Sequence, residues 1–264
     1  MKYFFAYFLF IALTKDMVGQ TWSNVGSGLG NYCLNLHKHQ SNLYAARGGD
    51  IYIWNNTSWT LMPPQPVSVN TNYFIEDYND TIYSAGKNGV SSSVPVFKFN
   101  GSAWVTTGGV NGLHQGANPV IYALTKYGNK LVSAGRFSTI NGNTINNIAI
   151  LDGIKWDSLG NGLIIGSTSD AIRNLCVHNN TLFASGDFTK SGSDASLKYV
   201  AQWNGTTWKS VSPSYIFKTP GAKPMTSFSN SLVIGNIWDT ISSVPMKGIT
   251  VWNGTSFSSM GNSL

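Results

Sequence analysis

One twelve-residue pattern is written five times along this chain: IYIWNNTSWTLM at 51–62, VFKFNGSAWVTT at 96–107, IAILDGIKWDSL at 148–159, VAQWNGTTWKSV at 200–211 and ITVWNGTSFSSM at 249–260. The copies begin 45, 52, 52 and 49 residues apart, and each has Trp or Phe at its ninth position. A second element precedes each copy: NLYAAR at 42–47, TIYSAG at 81–86, KLVSAG at 130–135, TLFASG at 181–186 and SLVIG at 231–235. A glycine-rich exit follows the aromatic, as in LGNGLI at 159–164, and recurs where Trp22 leads into VGSGLG at 25–30. Self-similarity at about 50 residues marks an array of one supersecondary unit, none of which buries its apolar surface alone.

The pairs Asn-Gly, Asp-Gly and Asn-Asn at the centre of the pattern tolerate positive φ and predict a two-residue type I′ turn between antiparallel strands. In that register Trp203 faces Thr206, Gln202 faces Thr207 and Ala201 faces Trp208. Side chains alternate along a strand, so the two indoles become diagonal neighbours on one face. The other face is also partly apolar, with Ile51 and Ile53, Ile148 and Ile150, or Ile249 and Val251. A sheet apolar on both faces must be covered on both, and no helical periodicity is present to cover it. Radial stacking of like sheets meets the requirement, the aromatics filling the wedges at about 2–3 kcal/mol each.

The expectation is therefore an all-β chain, a β-propeller of five four-stranded blades, with repeats at 31–62, 63–107, 108–159, 160–211 and 212–264. Trp22 and Phe257 both take the ninth-position role, so the count leaves a remainder, and an incomplete sixth blade is the alternative. A solenoid or a sandwich is the other competing architecture.

Residues 1–20 read as a secretory signal peptide: Met1-Lys2, the apolar run Tyr3 to Leu13, then small residues before a cut near Gln20. Eleven apolar residues are too few to span a bilayer as a helix, so the mature chain is expected to be exported, with no membrane span. The net charge of +6 comes from scattered residues in a chain only 11% charged, which excludes a nucleic-acid footprint. Cys33 and Cys176 lie in different repeats. Two buried thiols are expected, with a bond between them as the alternative.

The combined pattern resembles the secreted bacterial kelch-like or Rax2-like β-propeller repeats, whose unit runs L-[YV]-[VA]-G-x-F, a loop, I-A-x-W-[ND]-G-x-x-W, then L-G-x-G. The best matches are LVSAGRF at 131–137 with IAILDGIKW at 148–156 and LGNG at 159–162, and LFASGDF at 182–188 with VAQWNGTTW at 200–208. Arg47 stands where that repeat has Gly, and Phe257 where it has Trp. The resemblance implies a propeller exported to the cell exterior, often with a C-terminal sorting domain. The chain stops at Leu264 without one, so a scaffold fragment of a longer surface protein is a further expectation.

Little in the chain points to catalysis. The G-x-x-W spacing is similar to the sialidase Asp-box, but the Asp that motif needs is replaced by Trp203, Phe99 or Trp252. Arg47, Arg136 and Arg173 are the only arginines and suit carboxylate binding. Glu76 is the only Glu, and no convincing pair of carboxylates for glycoside hydrolysis is evident. His37 and His39 alternate as strand metal ligands do, with no third ligand nearby in sequence, and His114 and His178 add nothing. Asp187 to Asp194 is oxygen-rich but lacks calcium-loop spacing and reads as a surface connection. The Asn-x-Ser/Thr triplets at Asn55, Asn56, Asn79, Asn100, Asn179, Asn204 and Asn253 mostly coincide with turns that already require Asn.

Loops between the second and third strands, such as 136–147 and 186–199, are expected on one rim, where binding residues gather. The functional expectation is an exported, non-catalytic propeller that binds a protein or glycan through those loops. Arg47, Arg136, Arg173 and Asp187 are the candidate ligand-binding residues, and no metal or cofactor is expected. The alternative is a glycan-active hydrolase built on the arginines and Glu76.

Overall fold

The computed structural model describes residues 28–30, 32–66, 71–87, 92–113, 116–211, 217, 220–221, 223–241 and 244–260. The expected signal segment, Trp22 and His114 lie outside them.

The described residues form an all-β chain of 22 strands and no helix. The first four-stranded antiparallel sheet, unit 1, holds β1 (Asn35–His39), β2 (Asn42–Arg47), β3 (Asp50–Trp54) and β4 (Trp59–Leu61), paired in chain order. Unit 2 holds β5 (Thr71–Tyr78), β6 (Thr81–Lys87), β7 (Ser93–Phe99) and β8 (Trp104–Asn111). Unit 3 holds β9 (Val120–Tyr127) and β10 (Lys130–Arg136), a small hairpin of β11 (Thr139–Ile140) and β12 (Asn143–Thr144), then β13 (Ile148–Leu151) and β14 (Trp156–Ser158). Unit 4 holds β15 (Ile172–His178), β16 (Thr181–Gly186), β17 (Val200–Trp203) and β18 (Trp208–Ser210). Unit 5 holds β19 (Met225–Phe228), β20 (Ser231–Ile241), β21 (Val244–Trp252) and β22 (Phe257–Ser259). Units 2 and 3 merge into a ten-stranded sheet through the Lys87–Val120 pair and through β11, which pairs with β8.

The turn in the twelve-residue pattern differs from the expected one. Trp203 pairs directly with Trp208, Gln202 with Lys209 and Ala201 with Ser210, so four residues form the loop instead of two. Asn204 is the reason. Its Oδ1 accepts from the Thr206 and Thr207 N–H groups at 3.0 and 2.8 Å, and its own N–H donates to Thr207 O at 3.2 Å. Asn55, Asn100, Asp152 and Asn253 cap their loops in the same way. The next residue has positive φ, +100° at Gly205 and +74° at Asn56, which only Gly and Asn tolerate well. The aromatics consequently sit directly opposite each other across the strand pair, their rings tilted, and not diagonally.

Both faces of the inner sheets are buried, and the buried side chains fall into four clusters. Tyr44, Ile51, Ile75 and Trp104 lie between units 1 and 2. Tyr83, Val96, Phe137 and Trp156 lie between units 2 and 3. Ile148, Leu163, Leu182 and Trp208 lie between units 3 and 4, and Phe183, Phe217, Leu232 and Phe257 between units 4 and 5. Each ninth-position aromatic in units 2 to 5 thus packs against the preceding unit. The exit segment completes this contact. The Trp208 Nε1–H donates to Leu159 O at 3.1 Å, and a Cβ on Gly160 would lie 2.7 Å from the Trp203 ring, so only glycine fits beneath that indole.

Close Cα approaches join β1 to β5, β5 to β9, β9 to β15 and β15 to β19, whereas the fourth strands of successive units make none of comparable extent. Successive sheets are therefore close at their first strands and splay outward. Among the described residues β1 and β19 make no comparable approach. Exposed apolar side chains include Leu34, Leu36 and Leu61 in or beside unit 1 and Phe228 and Met260 in or beside unit 5, and also Val105 and Leu113 in or beside unit 2 and Ile154 in the hairpin loop of unit 3. Trp54 and Trp59, the first unit's aromatic pair, are only half-buried.

Two further expectations are corrected. The connection at 136–147 carries the β11–β12 hairpin, and the fifth unit's second and third strands continue as a ribbon through Ile241 and Val244. Cys176 is buried on β15, but Cys33 is exposed ahead of β1, and both are free thiols.

Candidate functional site

The strand directions define two ends. At one, tight turns join first to second strands. At the other, second strands lead into the long connections.

At the long-connection end, Arg136 and Arg173 converge on the segment 166–171. Arg136 donates through Nη1 to Thr168 O, and through Nε and Nη2 to Asn118 O at 3.3 and 3.0 Å. Arg173 donates through Nη2 to Ser169 O at 2.8 Å and through Nε to Asp187 Oδ2 at 2.9 Å, and its guanidinium lies 5.4 Å from the centre of the Tyr122 ring. Asp187 is buried and also accepts from the Ala171 N–H at 3.1 Å. Arg136 and Arg173 tie unit 3 to unit 4, and Asp187 holds Arg173 from within unit 4. Their guanidinium and carboxylate groups are engaged within the protein. Arg47 is elsewhere, on unit 1, with Nη1 3.4 Å from Tyr52 Oη.

The connection that Asp187 opens is tucked down rather than a plain surface loop. Phe188 and Leu197 are fully buried, Ile164 pairs with Lys190, and Ser191 Oγ donates to Gly162 O at 2.6 Å. Asp194 accepts from Ser196 N and Oγ at 2.9 and 2.6 Å, contacts that hold its carboxyl below the usual range. Asp187 and Asp194 therefore serve different partners. This docked connection walls a cavity of about 690 Å³ along the edge of β18, lined by Asn161, Ser193, Asp194, Gln202, Trp208 and Lys209 among others.

At the tight-turn end, the structure supplies what the sequence lacked around His37 and His39. Both lie on β1, and β5 of the next unit brings Glu76 and Asp77 alongside. His37 Nε2 is 3.1 Å from Asp77 Oδ1, and His39 Nδ1 is 3.7 Å from Asp77 Oδ2. One donor atom each from His37, Glu76 and Asp77 lie within 4.8 Å of one another. Burial pushes the Glu76 carboxyl up to about 7 and, against the opposing pull of Asp77, pushes the His37 imidazole down. The pairing crosses 40 residues of sequence, so spacing within HKH gave no sign of it.

No protein-family model matches the chain, and no curated protein does. Among solved structures, the chain is similar to a computationally designed protein, Ika8, at 16% identity over 87% of this chain and 61% of that one, with a TM-score of 0.51. It also aligns with YjhT at 14% identity over 83% of each chain, with a TM-score of 0.46. The chain thus spans about three fifths of the designed protein's length. At such identities the first likeness concerns the fold alone.

Proposed function

We infer that the five described units are blades of a β-propeller and that the chain is an exported, non-catalytic binding module for carbohydrate. Inner strands that abut while outer strands splay support the radial reading, because stacked parallel slabs would keep all four strands equally close. Leu36 and Leu61 of unit 1 and Phe228 and Met260 beside unit 5 are exposed, as side chains on the two ends of an unclosed ring would be, and β1 and β19 make no comparably close approach among the described residues. One further blade position in the ring accounts for both. The kelch-like repeat resemblance agrees with the architecture and with export, which entails a mature N-terminus near Gln20.

The observation that carries the binding reading is the cavity beside β18. It is walled by a docked connection and presents amide, hydroxyl, carboxylate and ammonium groups from Asn161, Ser193, Gln202, Asp194 and Lys209. Preformed sites with a few placed polar groups suit ligands rich in hydroxyls. The hydrolase alternative loses its cluster: Glu76 belongs to the histidine group at the opposite end, while Arg136 and Arg173 bind backbone carbonyls.

A glycan array probed with the chain from residue 21 onward tests this. The reading expects a defined set of glycans bound, and binding at least tenfold weaker in Asn161→Ala and Lys209→Ala. Absence of glycan binding, or binding indifferent to both substitutions, overturns it.

A further inference from the structure

The cluster on β1 and β5 exceeds what packing between units requires. The register aligns the first strands of all five units. His37, Glu76, Thr125, Cys176 and Thr226 pair with Tyr44, Tyr83, Val132, Phe183 and Val233 at equivalent places in the second strands. The next position holds Lys38, Asp77, Lys126, Val177 and Ser227. Carboxylates occupy these places only in unit 2.

The junction of units 4 and 5 is an internal control. There the sequence NLCVH on β15 corresponds to NLHKH on β1, and Asn174 Oδ1 accepts from Met225 N at 3.1 Å just as Asn35 Oδ1 accepts from Ile75 N at 3.2 Å. His178 occupies the place of His39. Its Nδ1 lies 2.8 Å from Ser227 Oγ, the counterpart of Asp77. A neutral hydroxyl therefore satisfies the imidazole at that junction. At the junction of units 1 and 2 the same frame instead holds two imidazoles and two adjacent carboxylates, and no Lys or Arg pairs with either carboxylate among the described residues.

We propose that His37, Glu76 and Asp77, with His39 beside them, bind a divalent cation of the zinc class between the first two units. Two nitrogen and two oxygen donors suit a borderline cation better than calcium or magnesium, which take oxygen. Donor atoms around a tetrahedral zinc stand roughly 3.4 Å apart at bond lengths near 2.0–2.1 Å. The three donors already within 4.8 Å need only rotamer adjustments to reach that spacing. A dication would bring together carboxylates that no Lys or Arg ion-pairs with at this junction among the described residues. Partial exposure, 16% for the His37 side chain and 28% for Asp77, leaves the ion a path from solvent. The bound ion would tie β1 to β5 at the end opposite the long connections.

The test is titration of the untagged chain with Zn²⁺ by calorimetry, and with Co²⁺ by visible absorption. One equivalent is expected to bind, with the Co²⁺ spectrum showing the intense d–d bands of a tetrahedral site. The paired variant Glu76→Thr/Asp77→Ser rebuilds the junction of units 4 and 5 in place of this one, and is expected to fold while binding at least 100-fold more weakly. His37→Ala provides a second, independent loss. Binding of no stoichiometric ion by the natural chain overturns the proposal, as does undiminished binding by a folded Glu76→Thr/Asp77→Ser chain. Should that variant not fold, undiminished binding by His37→Ala does the same.

Discussion

Trp203 and Trp208 sit directly opposite each other across the β17–β18 pair, with ring centroids 5.5 Å apart and planes inclined at 54°. Trp54 with Trp59 and Phe99 with Trp104 repeat the arrangement at 5.4 and 5.3 Å. Trp208 adds an anchor to the preceding unit through Leu159 O. Trp208→Ala is expected to cost about 3–5 kcal/mol, since it leaves a cavity between two units. A double-mutant cycle with Trp203→Ala, read by urea unfolding, should return a coupling of about 0.5–1.5 kcal/mol. Strict additivity would show that the rings merely occupy space.

Asp152 stands where the other four copies have Asn, yet accepts the same two N–H groups, from Ile154 and Lys155, at 3.0 Å. Asp152→Asn should therefore leave stability at neutral pH unchanged, whereas Asn204→Ala, which removes a cap outright, should cost about 1–2 kcal/mol. Acid separates Asp from Asn. The two N–H groups hold the Asp152 carboxyl below its ordinary 3.8, so its contribution is complete above that value and is lost as pH falls through the lower folded-state value. Thermal unfolding below pH 4 should show the natural chain weakening relative to Asp152→Asn.

Gly135 and Gly186 close the second strands of units 3 and 4 at register shifts in the pairing with β9 and β15. A Cβ at Gly135 would lie 1.9 Å from Val120 O, and one at Gly186 2.2 Å from Ala171 O. Backbone, not a flexible side chain, is in the way. Alanine at either place is expected to destabilise by about 2 kcal/mol or more, as forced backbone shifts do. Gly205→Ala meets no atom within 4 Å, but its φ of +100° adds strain, so a smaller loss is expected there. Denaturant midpoints rank the three.

The two thiols should differ in reactivity. Burial raises both thiols, but Cys33 is exposed to reagent, whereas Cys176 is buried and held at about 11. A thiol-specific reagent at pH 8 is expected to modify one cysteine in the folded chain and two after unfolding. Rapid modification of both would mean that β15 is not packed as described.

Repetition made the sheets legible. A twelve-residue pattern with apolar residues on both faces requires covered hairpins, and the four buried clusters lie where that argument puts them. The register was not legible, because Asn-Gly serves two turn geometries, and the Asn side chain, absent from the φ argument, decides between them. Arg136 and Arg173 looked like free ligand-binding groups because sequence does not show which carbonyls of another unit they reach. His37 and Asp77 met for a similar reason. The repeat says that β1 and β5 are equivalent, but not how close their first strands lie.

The arrangement of the units about an axis is tested most directly by pulsed electron spin resonance between labels on equivalent hairpins. Thr57, Ser102, Ile154, Thr206 and Thr255 are all exposed and occupy corresponding loops in units 1 to 5. With Cys33 and Cys176 replaced by Ser, pairs of labels report separations from unit 1 outward. The account predicts that the Thr57–Thr255 distance falls back below the Thr57–Thr206 distance and matches Thr57–Ile154, as a ring with one further blade position requires. A Thr57–Thr255 distance longer than all the others would contradict it.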